Sequence, residues 1–201
     1  MNKKKYLLDL NNSKKPFIIY KSDEGFDLYT DFSKKIILNN NNIKKFINKN
    51  TKLKSIRKET DLFIGFFGYE ILNSLIDVKI KKQKTINFPK GIFYKPETKV
   101  KLSNNLEYKK TTSSNSSDLF KININKKSYK IIFDKFKKKI KSGETYQIKI
   151  CTKYSNKSEI DALDFFCRLV KSNMAPEAFM IKDKNYSIIS CSPENLITKK
   201  N

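Results

Sequence analysis

Histidine is absent from the 201 residues. Without an imidazole, no Ser-His or Cys-His pair can activate a nucleophile from within this chain. Cysteine is scarce: Cys151, Cys167 and Cys191 are odd in number, unclustered and set in apolar segments. That pattern fits reduced thiols in a cytosol and argues against a disulfide framework or a zinc site. No apolar run reaches transmembrane length. Met1-Asn2-Lys3-Lys4-Lys5 leads only into the short Tyr6-Leu7-Leu8, which does not make a signal peptide. The expectation is a cytoplasmic protein with no membrane partner. Arginine is nearly missing too, present only as Arg57 and Arg168.

Against these absences stands an excess of lysine. Lysine and arginine total 43 against 20 acidic residues, a net charge of +23. A basic surface binds phosphates by releasing counterions. Here, however, lysine is spread along the whole chain, and arginine, the better bidentate ligand of phosphate and guanine, is what is lacking. The chain is also rich in asparagine and isoleucine, so the lysines read as compositional bias filling solvated faces. No specific nucleic-acid partner is expected, only weak nonspecific binding at low salt. The length suffices for a sizeable core, as one domain or two small ones.

Along the chain, Phe17-Ile18-Ile19-Tyr20 reads as a buried strand, with further strand material at Tyr29-Thr30-Asp31-Phe32 and Lys35-Ile36-Ile37-Leu38. A short helix is predicted to carry Ile43, Phe46 and Ile47. Leu62 to Tyr69 is the most apolar segment. Its glycines suggest a close backbone approach or a bulge in a central strand, followed by a helix from Glu70 to Ile76. Gly91 to Leu102 reads as a hairpin turned at Pro96-Glu97. Thr111 to Asp118 is polar, small and aperiodic, a linker. The expected division is therefore residues 1–110, a linker over 111–127, and a second domain over 128–201.

After the linker the signals sharpen. Tyr129, Ile132, Phe133, Phe136 and Ile140 fall on one face of a helix, with Ser128 as its N-cap and Gly143 at its left-handed end. Tyr146, Ile148 and Ile150 then alternate with Gln147, Lys149 and Cys151, the pattern of a strand. Ser158 and Asp161 stand in capping-box spacing before a helix with Ile160, Leu163, Phe166, Cys167 and Val170 inward. Asn173-Met174-Ala175-Pro176 breaks that helix. A hairpin around Asp183-Lys184-Asn185 then delivers Ser192-Pro193-Glu194.

This order resembles the component I family of anthranilate synthase and aminodeoxychorismate synthase, the chorismate-binding enzymes. The pieces that carry the resemblance are Gly143-Glu144, Tyr146-Gln147, Asn173-Met174-Ala175-Pro176 and Ser192-Pro193-Glu194, with Gly65 and Gly68-Tyr69 extending it upstream. Each is weak alone; four in series with matching secondary structure are specific. The resemblance implies an α+β fold of largely antiparallel sheets with flanking helices. It implies chorismate as substrate and ammonia from a glutamine amidotransferase partner. It also implies magnesium, with ligands and a catalytic histidine expected beyond Asn201, and so a C-terminally truncated enzyme with no metal ligand inside this chain.

The resemblance also assigns roles. Glu194 would move a proton as ammonia adds and hydroxyl leaves. Gln147 stands where water-adding relatives carry a lysine base. A glutamine cannot deprotonate water, which favours ammonia as nucleophile. Ser192 and Lys149 are candidate substrate contacts, although a solvated lysine is the simpler reading of Lys149. Ser22, Tyr29, Phe32, Ala175 and Pro176 match a regulatory pocket that holds tryptophan in the family. Lys21 and Glu177 depart from that pattern, which leaves a Lys21–Glu177 pair or a vestigial pocket open, and packing alone would also explain all of these residues. The expected function is aminodeoxychorismate synthase component I. The alternatives are anthranilate synthase component I and an inactive basic fragment with only nonspecific nucleic-acid binding.

Overall fold

The computed structural model describes residues 3–50, 58–76, 88–104, 106, 108 and 120–192. The elements begin with helix α1 (Lys3–Asn12), strands β1 (Phe17–Ser22) and β2 (Gly25–Ile37), helix α2 (Ile43–Asn50) and strand β3 (Ile64–Phe67). A short 3-10 helix (Tyr69–Ser74) and strands β4 (Gly91–Lys101) and β5 (Lys121–Ile122) follow. Helix α3 (Lys126–Lys141), strand β6 (Tyr154–Ser155), helix α4 (Ala162–Asn173) and strands β7 (Ala178–Lys182) and β8 (Ser187–Ser190) complete the order. The fold is α+β, with every strand pair antiparallel.

Packing divides the chain into two compact units, Met1–Lys109 with Ala162–Asn201, and Lys110–Asp161. This division does not run in chain order: α4, β7 and β8 join the unit begun by β1. Of the segment expected as a linker, residues 111–119 lie outside the described residues, while 120–127 hold β5 and the start of α3.

In the first unit six strands pair in the order β3-β4-β2-β1-β7-β8. β1 is central because both its faces are apolar. Phe17 and Ile19 face one way and Ile18 the other, and all three are buried. Each such burial contributes ~1.5–3 kcal/mol. The Phe17 face is covered by Leu7 and Leu10 of α1 and by Leu163, Phe166 and Cys167 of α4. The opposite face packs strand and turn residues against one another: Ile18, Tyr29, Ile92, Tyr94 and Ile181, with Tyr20, Phe32, Phe179 and Tyr186 at its margin. A third cluster joins Leu38, Ile43 of α2 and Ile71.

Several local expectations change. Gly91 to Leu102 is no hairpin; β4 runs straight through Pro96, which sits opposite Phe32. The register shifts there between Phe32 and Lys34, and Asp31 takes a positive φ of 51°. A proline offers no N–H to a ladder, and a bulge in the partner strand is where none is needed. The glycine-rich segment gives an edge strand rather than a central one. Its glycine does mark a close approach: a Cβ on Gly65 would lie 1.9 Å from the Ile92 carbonyl oxygen. The helix expected from Glu70 to Ile76 is the short 3-10 helix.

The second unit holds α3 and the β5–β6 pair. The cap of α3 is Asn125, whose side chain accepts from the Ser128 N–H at 2.8 Å, so Ser128 is the capped residue and not the cap. Gly143, at φ 76°, ends the helix in a left-handed turn. Its N–H reaches the Ile140 carbonyl and the Glu144 N–H reaches that of Lys139, the paired bonds of a Schellman turn. No residue of α3 is buried, and Tyr129, Phe133 and Ile140 are more than two-fifths exposed. Residues 147–150, expected as a strand, are irregular. Alternation alone does not hold a strand; its backbone groups need a neighbour, and this segment has no strand partner among the described residues. The Ser158–Asp161 spacing does not open a helix turn at Ser158. The Asn156 carboxamide oxygen binds the Ser158 N–H instead, α4 starts at Ala162, and Ile160 stays exposed.

Candidate functional site

The end of β1 meets the turn between α4 and β7 through Lys21. α4 stops at Asn173 because Met174 adopts φ 49°, and Pro176 cannot continue a helix. β7 then pairs with β1, Lys21 opposite Ala178 and Tyr20 opposite Phe179. By alternation from Ile19, Lys21 lies on the helix-covered face. Its ammonium donates to the Ala175 carbonyl at 2.6 Å and to the Pro176 carbonyl at 3.1 Å. On the other face the Tyr20 hydroxyl bonds the Glu177 carboxylate. Burial first, and then the Glu177 charge, push that phenol above its ordinary range. Half-buried Cys191 packs near Lys21; burial raises its thiol pKa and the Lys21 charge opposes the rise.

Farther along, Tyr29 and Phe32 share one cluster, with the Phe32 ring tilted against that of Tyr94, centres 5.0 Å apart. The Lys99 ammonium lies 6.0 Å from the Tyr29 ring centre, 3.2 Å from Asp27 Oδ2 and 3.4 Å from Glu59. Asp27 Oδ1 is buried without a partner among the described residues. The carboxylate of Asp183 accepts from the Tyr94 hydroxyl, from Lys35, and from Tyr186 at 3.2 Å. Burial works to raise the Asp183 pKa, but the Lys35 and Tyr94 hydrogen bonds outweigh it and hold it at about 2. Burial and the bond to Asp183 push the Tyr94 phenol far upward.

The residues matched to a regulatory pocket thus fall in two places. Ala175 and Pro176 are tied to β1 through Lys21, next to Ser22, whose hydroxyl accepts from the Glu24 N–H at 3.3 Å. Tyr29 stands opposite Ile18, four residues back along β1 from Ser22, roughly 13 Å at strand rise. Gln147 and Lys149 are exposed in the second unit, where the Thr145 hydroxyl donates to the Gln147 carbonyl at 3.2 Å. Ser192 is exposed just past β8, in the first unit. Glu194 and Pro193 lie outside the described residues. The roles of Lys21, Asp183 and Tyr94 were not read from sequence, since their partners lie 154, 148 and 89 residues away.

Residues 3–201 match the sequence profile of the family described as chorismate binding enzyme. The chain belongs to the chorismate-binding enzyme family. It is 21% identical over 152 residues to anthranilate synthase component 1 of Thermococcus kodakarensis, a match that takes in 67% of this chain. It spans only 34% of that relative's length. Among the described residues, no three cysteine or acidic side chains come together as metal ligands. No described helix is long and apolar enough to cross a membrane.

Proposed function

We propose that the protein acts as component I of a chorismate-aminating synthase in the cytoplasm, replacing a hydroxyl of chorismate by an amino group. The ammonia would come from a glutamine amidotransferase partner. The observation that carries this reading is the ordered series Gly143-Glu144, Tyr146-Gln147, Asn173 to Pro176 and Ser192-Pro193-Glu194 inside a family match over the whole described chain. In it Glu194 moves the proton, Gln147 excludes activation of water by offering only hydrogen bonds, and Ser192 and Lys149 contact the substrate.

Of the two products, 4-amino-4-deoxychorismate is the one we favour. Lys21 and Glu177 replace residues of the amino-acid pocket that the tryptophan branch uses for feedback, and Lys21 is engaged with the turn carbonyls. The likeness to an anthranilate synthase component 1 supports anthranilate as the second reading. Incubating the full-length protein with chorismate, ammonium and magnesium salts, and identifying products by mass, separates the two. Anthranilate with pyruvate would replace the first reading by the second; chorismate left unconsumed would overturn both.

A further inference from the structure

Two consecutive carbonyls, those of Ala175 and Pro176, converge on one ammonium. They belong to the turn that follows the left-handed Met174, outside the hydrogen-bond ladder of α4 and at its negative end. Ala175 is buried and Lys21 half-buried, so the bond to the Ala175 carbonyl is partly shielded from solvent, while the one to Pro176 lies at the surface. Donor–acceptor distances of 2.6 and 3.1 Å suit N–H groups. Two carbonyls are also far fewer oxygens than a hard metal cation requires. The neighbouring side chains reinforce the arrangement: Ala178 pairs with Lys21 across the ladder, and Cys191 packs into the same cluster as Ala178.

We propose that the Ala175 and Pro176 carbonyls form a binding site for a primary ammonium, and that Lys21 fills it from within the chain. Lys21 is then a latch that fixes the α4–β7 turn to β1, and an external amine reaches the turn only by displacing it. Where the turn belongs to an amino-acid pocket, a consequence that rests on the proposed function, the latch sets it without ligand and the enzyme runs free of control by an amino acid there.

The experiment is chemical rescue of the full-length protein, read as thermal unfolding. Lys21→Ala removes what n-propylammonium can replace, while Lys21→Met keeps an apolar stem and loses the charge. Both variants should unfold several degrees below the parent. Millimolar n-propylammonium chloride should raise the Lys21→Ala midpoint above that in equal sodium chloride or n-propanol, by mass action on the folded state, and leave the parent unchanged. If Lys21→Ala does not fold in buffer, its refolding yield with n-propylammonium against sodium is the same test. A Lys21→Met midpoint equal to the parent's, or no selective effect of n-propylammonium on Lys21→Ala, would overturn the proposal. Chorismate turnover plays no part in the readout, so the latch and the amination reading fail separately.

Discussion

The Tyr94 hydroxyl donates to the Asp183 carboxylate, although β2 and β1 stand between β4 and β7 in the sheet. The turn after β7 therefore folds back over the aromatic face to reach β4. Lys35 of β2 and Tyr186 of the same turn complete the carboxylate's partners, and the Lys184 N–H binds its other oxygen at 2.6 Å. Four donors meet one half-buried carboxylate. That is why it stays ionised in an apolar cluster.

A pH dependence follows. The folded-state pKa of about 2 lies below the ordinary 3.8, so the contribution is fully present above about pH 4. It is lost as pH falls through 2, and it amounts to about 2 kcal/mol. In chemical unfolding from pH 7 to pH 2, Asp183→Asn should be less stable than the parent at neutral pH, with the gap narrowing below pH 4. A gap constant across that window would remove the ionised carboxylate from the account.

Two glycines should respond differently to the same methyl group. In Gly65→Ala the new Cβ meets the backbone of Ile92 and Phe93, at 1.9 and 2.7 Å, which cannot swing aside. We expect β3 to lift from β4, at a cost of about 1–3 kcal/mol or more. Gly143→Ala has nothing within 4 Å and suffers only the left-handed backbone, about 1 kcal/mol. Denaturant midpoints of the two variants decide the order; equal losses would show that the tight contact is relieved.

If Glu194 moves the proton in the proposed amination, Glu194→Gln should lower chorismate turnover by about 10²–10⁴-fold while KM for chorismate changes little. The amide keeps shape and hydrogen bonding but cannot exchange the proton. Retention of most activity would take Glu194 out of the mechanism.

On the proposed reading, in which Gln147 stands at the position that chooses between ammonia and water, Gln147→Lys introduces an amine able to act as a base. If the amine is desolvated enough to be neutral, isochorismate should appear as a minor product. Normal amination with no hydroxylated product would show that the position does not select the nucleophile.

Legibility in the sequence followed the range of the interactions. β1 was readable because an apolar run on both faces needs no partner to be recognised, and α4 because Leu163, Phe166 and Cys167 keep helical spacing. Gly143 was readable because a left-handed end is a local affair. Pro96 misled, since the bulge that tolerates it lies some sixty residues upstream, at Phe32 and Lys34. Tyr146 to Ile150 misled because alternation says nothing about whether a neighbouring strand is at hand. At the site, Ala175 and Pro176 stood out as a turn, but the lysine that holds them could be seen only once β1 and β7 were paired.

The pairing of β1 with β7 also sets a schedule for synthesis. Lys21 and the Ala175 carbonyl it binds are 154 residues apart. At roughly 5–20 residues per second, the ribosome adds that stretch in about 8–30 s. Throughout that time β1 can have β2 on one side and nothing on the other, with Phe17, Ile18 and Ile19 waiting for Met180, Ile181 and Lys182. The buried apolar half of β1 is thus an open edge for seconds during translation, and a chaperone that holds nascent chains has its natural target there.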